Sequence, residues 1–113
     1  SGSFDVGSLL DMLDSLGYSV LATQSPLEAV RLAAEHEGPV GLLITDIFMP
    51  EMNGGQLATR LRADRPGLKV LFISGYARSV IKERGVIAPD MPLLQKPFSI
   101  EELSAEVRRV AEE

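Results

Sequence analysis

Short, unbroken apolar runs alternate along this chain with segments of helical period, and that alternation restricts the fold more than any other feature. Val40 to Thr45, Lys69 to Ile73 and the brief Leu93–Leu94 lack the polar residue at every second position that a half-exposed strand would show. They read as strands covered on both faces, which is the pattern of a parallel sheet. Tyr18 to Thr23 supplies a fourth strand.

Helical patterns fill the spaces between them. Val6, Leu9, Leu10, Leu13 and Leu16 recur at helical spacing until Gly17 stops the pattern. Ser25-Pro26-Leu27-Glu28 is a capping box with proline at the first helical position, and the helix it opens runs to about Glu35 or His36 before Gly38-Pro39. Met49 to Gly55 reads as a loop, followed by a helix marked by Leu57, Ala58 and Leu61 and ended by Pro66-Gly67. A short helix around Val80 and Ile81 ends near Gly85, and Val86 to Pro92 is a loop. Ser99 and Glu102 form a second capping box, opening a helix with Leu103, Val107 and Val110 on one face.

The element order is helix, strand, repeated four times and closed by a helix. This is an α/β chain with a doubly wound parallel sheet. At 113 residues it is one domain, 6–113, with 1–5 read as an N-terminal remnant or tag. Such a sheet normally opens with a strand, and residues 1–5 are too few and too polar to supply a buried one.

Composition removes several classes of function. No cysteine occurs, which excludes a disulfide framework, thiolate chemistry and a cysteine zinc site, and fits a reduced, cytoplasmic setting. The single histidine, His36, lies at a helix end among acids and reads as a solvated cap. No apolar run approaches the roughly 18 residues of a membrane span. The net charge of −5 argues against nucleic acid as the main partner. Charge is uneven, however. Arg60, Arg62, Arg65, Lys69, Arg78, Lys82 and Arg84 fall in a stretch whose acids are Asp64 and Glu83. A solvated face on two helices is the plainer reading, and a docking patch for an acidic partner the sharper one.

Ligands of open α/β sheets bind beyond the carboxyl ends of the strands. Asp46, Ser74 and Lys96 each follow a strand by no more than two residues, so parallel neighbours place all three on one rim. A carboxylate, a hydroxyl and an ammonium converging there suit phosphoryl transfer. The carboxylate attacks, and the other two stabilise charge on the phosphoryl oxygens.

Three segments carry a family resemblance in register. Leu42 to Gly54, with Thr45-Asp46-Ile47-Phe48-Met49-Pro50 at its centre, resembles the phosphoacceptor segment of bacterial two-component receiver domains. Val70 to Tyr76 is similar to that family's fourth strand and Ser/Thr switch, and Leu93-Leu94-Gln95-Lys96-Pro97-Phe98 to its fifth strand and lysine. The match runs over residues 6–112 and most resembles receivers at the C-terminus of hybrid sensor histidine kinases. The resemblance implies a flavodoxin-like receiver fold lacking its first strand. It implies that Asp46 takes a phosphoryl group from a histidine kinase or phosphotransfer domain, that Lys96 pairs with that group, and that Ser74 hydrogen-bonds it and shifts its loop. The Phe48 carbonyl, with Asp46, would be a Mg²⁺ ligand, small Gly75 would leave room for the donor, and the Lys96–Pro97 bond would be cis. Tyr76 reads as a packing residue.

Two departures stand against the family pattern. The acidic pair that holds Mg²⁺ at the end of the first strand falls, by counting back from Asp46, on Ser1 and Gly2; Asp5 is the nearest substitute. The aromatic switch position is Leu93. A phosphoacceptor rather than a conventional enzyme is the leading expectation. The alternative is a receiver-like interaction module that is never phosphorylated, since without a cation the carboxylate and incoming phosphate repel. A haloacid-dehalogenase-type enzyme needs a second acid where Phe48 stands, and no phosphate loop of the flavodoxin kind follows a first strand. Loss of the strand between Tyr18–Thr23 and Val40–Thr45 predicts an intermolecular sheet, a swapped segment or direct pairing of the two flanking strands. Exchange between chains, giving a homodimer, is the favoured outcome.

Overall fold

The computed structural model describes residues 20–23, 25–36, 40–88 and 90–112. The helix expected from Val6 to Leu16 lies outside the described residues, as do Tyr18 and Asp5. The elements in chain order are β1 (Val20–Thr23), α1 (Pro26–Glu35), β2 (Leu42–Asp46), α2 (Gly54–Asp64), β3 (Lys69–Ser74), α3 (Arg78–Arg84), β4 (Leu93–Gln95) and α4 (Ile100–Glu112).

The four strands form one parallel sheet in the order β1-β2-β3-β4. The strand runs alternate in the direction they bury. Leu43, Ile47, Val70 and Phe72 pack with Ala29 and Ala33 of α1, Leu57, Ala58 and Leu61 of α2, and Ile81 of α3. Leu42, Ile44, Leu71 and Ile73 pack on the other face with Leu103, Val107 and Val110 of α4. Both faces are therefore apolar and covered, which is why the runs show no period of two. Each such aliphatic side chain contributes about 1.5–3 kcal/mol on burial.

The ends follow local chemistry. Ser25 Oγ accepts from the Glu28 N–H, and Pro26 opens α1. Ser99 and Glu102 exchange both bonds of a capping box at the start of α4. Gly85, at φ +66°, ends α3 in the left-handed conformation that glycine adopts freely. His36 caps α1 and is exposed, as expected. One boundary moves: the loop expected to run through Gly55 ends at Asn53. Asn53 Oδ1 accepts from the Gln56 N–H, and Gln56 Oε1 accepts from the Asn53 N–H, so a capping box starts α2 there.

Of the three arrangements expected around the strand gap, the structure has direct pairing. Val20, Leu21, Ala22 and Thr23 lie opposite Leu42, Leu43, Ile44 and Thr45 in a parallel ladder. The other edge of β2 pairs with β3 from Leu42↔Lys69 to Asp46↔Ile73. Two strands running the same way close on each other without reversing either chain, and β2 is then bonded on both sides. The open ladder that favoured exchange between chains is not present at β2.

Candidate functional site

Asp46 is the last residue of β2, Ser74 the last of β3, and Lys96 follows β4 by one residue. The ladders set their relative heights. Asp46 lies opposite Ile73 and Ser74 opposite Gln95, so the three positions share the carboxyl rim of adjacent strands. The Lys96 N–H donates to the Ser74 carbonyl at 2.8 Å, fixing the lysine backbone against β3 just before the chain turns at a cis Lys96–Pro97 bond. From there the ammonium returns across the rim, and Lys96 Nζ lies 3.3 Å from Asp46 Oδ1. Their side chains are 39% and 28% exposed, so the pair is partly screened and reachable from solvent.

Ser74 is buried, and its Oγ accepts the Tyr76 N–H at 2.9 Å. That bond uses an acceptor lone pair and leaves the hydroxyl proton to donate elsewhere. Gly75 stands between them, with nothing within 4 Å of where a Cβ would be. The Asp46 backbone is held as tightly. Buried Thr45 donates to the Asp46 carbonyl at 3.0 Å, the Ile47 N–H donates to Ile73, and the Gly54 N–H donates to Ile47 at 2.6 Å. The carboxylate thus projects from a strand end anchored on three sides.

Phe48 is half-exposed in the loop after β2. Its ring meets Tyr76 edge to face at 5.4 Å, and the Arg84 guanidinium lies 5.7 Å from the Phe48 centroid and 5.8 Å from that of Tyr76. Tyr76 does pack, as expected, but on the exposed rim rather than in the core. The cluster ties the loops after β2 and β3 to the end of α3 through contacts that separate parts of the chain make only once folded. The sequence places Arg84 in the basic stretch without revealing its contact with the two rings; a basic residue at a helix C-terminus is ordinarily explained by the helix dipole alone.

Leu93, at the aromatic switch position, is buried against the same core as Phe72. Of the Mg²⁺ ligands the resemblance implies, Asp46 and the Phe48 carbonyl belong to the described residues, the positions of the acidic pair lie outside them, and among the described residues no cluster of three or more acidic, histidine or cysteine side chains occurs. Mg²⁺ demands near-octahedral oxygen ligation. One carboxylate, with Oδ1 already paired with an ammonium, and one carbonyl do not by themselves fit a resident ion. No helix among the described residues is long and apolar enough to cross a membrane.

Known proteins resemble this chain over most of its length. A family model for the response regulator receiver domain matches residues 6–108. The sensor kinase CckA of Brucella abortus (strain 2308) is 35% identical over 100 residues, covering 88% of this chain and 11% of that protein. The response regulator receiver protein CpdR of the same organism is 34% identical over 102 residues, covering 90% of this chain and 83% of its own. Among solved structures, the receiver domain from the hybrid histidine kinase CckA superposes with a TM-score of 0.69 at 30% identity, covering 93% of this chain and 87% of that one. The chain therefore spans a small fraction of CckA and most of CpdR.

Proposed function

The chain belongs to the response regulator receiver domain family, and on that footing we propose that Asp46 is its phosphoacceptor in a two-component phosphorelay. The observation that carries this reading is the 3.3 Å approach of Lys96 Nζ to Asp46 Oδ1 at the strand rim. An Asp46 oxygen attacks the phosphorus of a phosphohistidine on a histidine kinase or phosphotransfer domain. The P–N bond breaks, its electron pair returns to the imidazole, and an acyl phosphate forms on Asp46. Lys96 moves from the carboxylate to the transferred phosphoryl oxygens, whose negative charge exceeds that of the carboxylate it leaves. Ser74 donates its hydroxyl proton to the same group. Because Ser74 Oγ also holds the Tyr76 N–H, movement of the serine draws the loop after β3 with it and changes the surface offered to partners. The unit is residues 6–113, in a cytoplasmic protein of the hybrid-kinase or single-receiver type.

A second reading, an interaction module that is never phosphorylated, is favoured by one observation. Among the described residues no cluster of three or more acidic, histidine or cysteine side chains forms, so the charge of an incoming phosphate is met by Lys96 without a second cation. Treatment with phosphoramidate, whose P–N bond mimics phosphohistidine, with and without Mg²⁺, separates the two by intact mass. The first reading expects one phosphoryl adduct in the wild type and none in Asp46→Asn. An unmodified wild type under both conditions establishes the second, and an adduct that survives Asp46→Asn moves the acceptor elsewhere.

A further inference from the structure

We propose that the groove between α2 and residues 85–88, with Met91, is a docking site for an acidic peptide segment bearing an apolar anchor. The groove has a volume of about 800 Å³. One wall is the α2 stripe of Gly55, Thr59 and Arg62, which share a face at helical spacing. The other is the Val86–Ala88 backbone, drawn so close to α2 that a Cβ on Gly55 would collide with the Val86 carbonyl. The wall at that end is thereby fixed. Val86, Ile87 and Met91 are partly buried hydrophobics packed against the core, so the groove is apolar in depth. Its charged lining is Arg60 and Arg62, and no Asp or Glu lines it among the described residues.

The basic stretch that includes these two arginines divides by what each member touches. Arg65 donates to the Ala33 and His36 carbonyls, Lys69 to Ala111, and Arg78 to Met91, so those three hold helix ends and a loop. Arg62 reaches the Leu68 carbonyl through Nε. Arg60 is exposed, and among the described residues neither it nor Arg62 pairs with a carboxylate. Arg60 and Arg62 are the charged residues lining a groove that is apolar in depth, and a guanidinium there complements a carboxylate flanking an aliphatic or aromatic side chain. Guanidinium binds carboxylate in a bidentate fork, more strongly where water is partly excluded. Nucleic acid is the poorer occupant, because the chain is net acidic and the groove is lined by Arg60 and Arg62 alone among the described charged residues. The proposal is independent of phosphorylation at Asp46.

The test uses the full chain labelled with ¹⁵N and a short helical peptide with glutamates flanking two leucines. Saturable amide shifts are expected at Gly55, Thr59 and Ala88, weakening as salt is added. Arg60→Glu lowers affinity about tenfold or more. Ala88→Trp fills the groove and abolishes binding. Arg60 and Ala88 are exposed, so both variants keep the wild-type spectrum elsewhere. The peptide with lysine for glutamate does not bind, and Asp46→Asn binds as the wild type does, which separates this site from the phosphoacceptor reading. Absence of saturable shifts up to about 1 mM peptide overturns the proposal. So does binding indifferent to Arg60→Glu, or a single-stranded oligonucleotide that shifts these amides where the peptide does not.

Discussion

Replacing Gly54 with alanine tests how closely α2 must approach the strand that carries Asp46. An added Cβ would lie 2.5 Å from the Asp46 carbonyl oxygen, 3.2 Å from Ile47 Cα and 3.2 Å from Phe72 Cδ1. A relaxed carbon–oxygen contact lies near 3.3 Å, so the helix start must move by roughly 0.8 Å. The first two atoms are backbone at a strand end paired on its β3 side, and they cannot rotate away. Overpacking of this kind costs about 1–3 kcal/mol. Displacement also lengthens the Gly54 N–H bond to Ile47, a loss of up to about 1.5 kcal/mol. Alanine returns at most about 1 kcal/mol through helix propensity. The net is a destabilisation of about 2 kcal/mol, a fall in Tm of roughly 10 °C for a domain of this size. Gly67, with nothing within 4 Å of its added Cβ, is the control. Gly67→Ala should be neutral or stabilising by about 0.4–1 kcal/mol. The assay is thermal unfolding followed by circular dichroism. A Gly54→Ala protein that melts with the wild type would refute the claim that this close approach requires glycine.

Other substitutions probe separate parts of the structure. Lys96→Met should leave stability within about 1 kcal/mol, since the Asp46 pair is partly exposed, yet sharply slow the mass gain with phosphoramidate; an unchanged rate removes Lys96 from the chemistry. Asn53→Ala should lose about 1 kcal/mol in urea unfolding through loss of the α2 capping box, whereas Ala77, which makes no side-chain cap at α3, tolerates substitution there. Leu71→Ala, at a residue with no exposed surface between the sheet and α4, should cost about 2–5 kcal/mol. Leu27→Ala, at a site 57% exposed, should stay within about 0.5 kcal/mol by the same measurement.

What the sequence made legible was what local chemistry determines. Continuous apolar runs required coverage on both sides, and the two packed faces around Leu43 and Leu71 follow from that. Capping boxes and a left-handed glycine marked helix ends because each is complete within a few residues. Asp46, Ser74 and Lys96 could be brought to one rim from strand-end position alone, since parallel ladders in register put strand ends side by side. The unread features depend on distances between segments. The requirement for glycine at 54 arises from the Asp46 carbonyl, and that at 55 from Val86, about thirty residues away. Arg84 earns its place from Phe48 and Tyr76, which no pattern in its own helix reveals. The basic stretch shows the limit most clearly. It reads as one charged face in sequence, but Arg65, Lys69 and Arg78 each donate to a backbone carbonyl of another segment. Arg60 and Arg62 remain at a groove whose opposite wall comes from beyond the next helix. Net charge predicts the sign of a partner, and only the fold selects which charges are left to meet it.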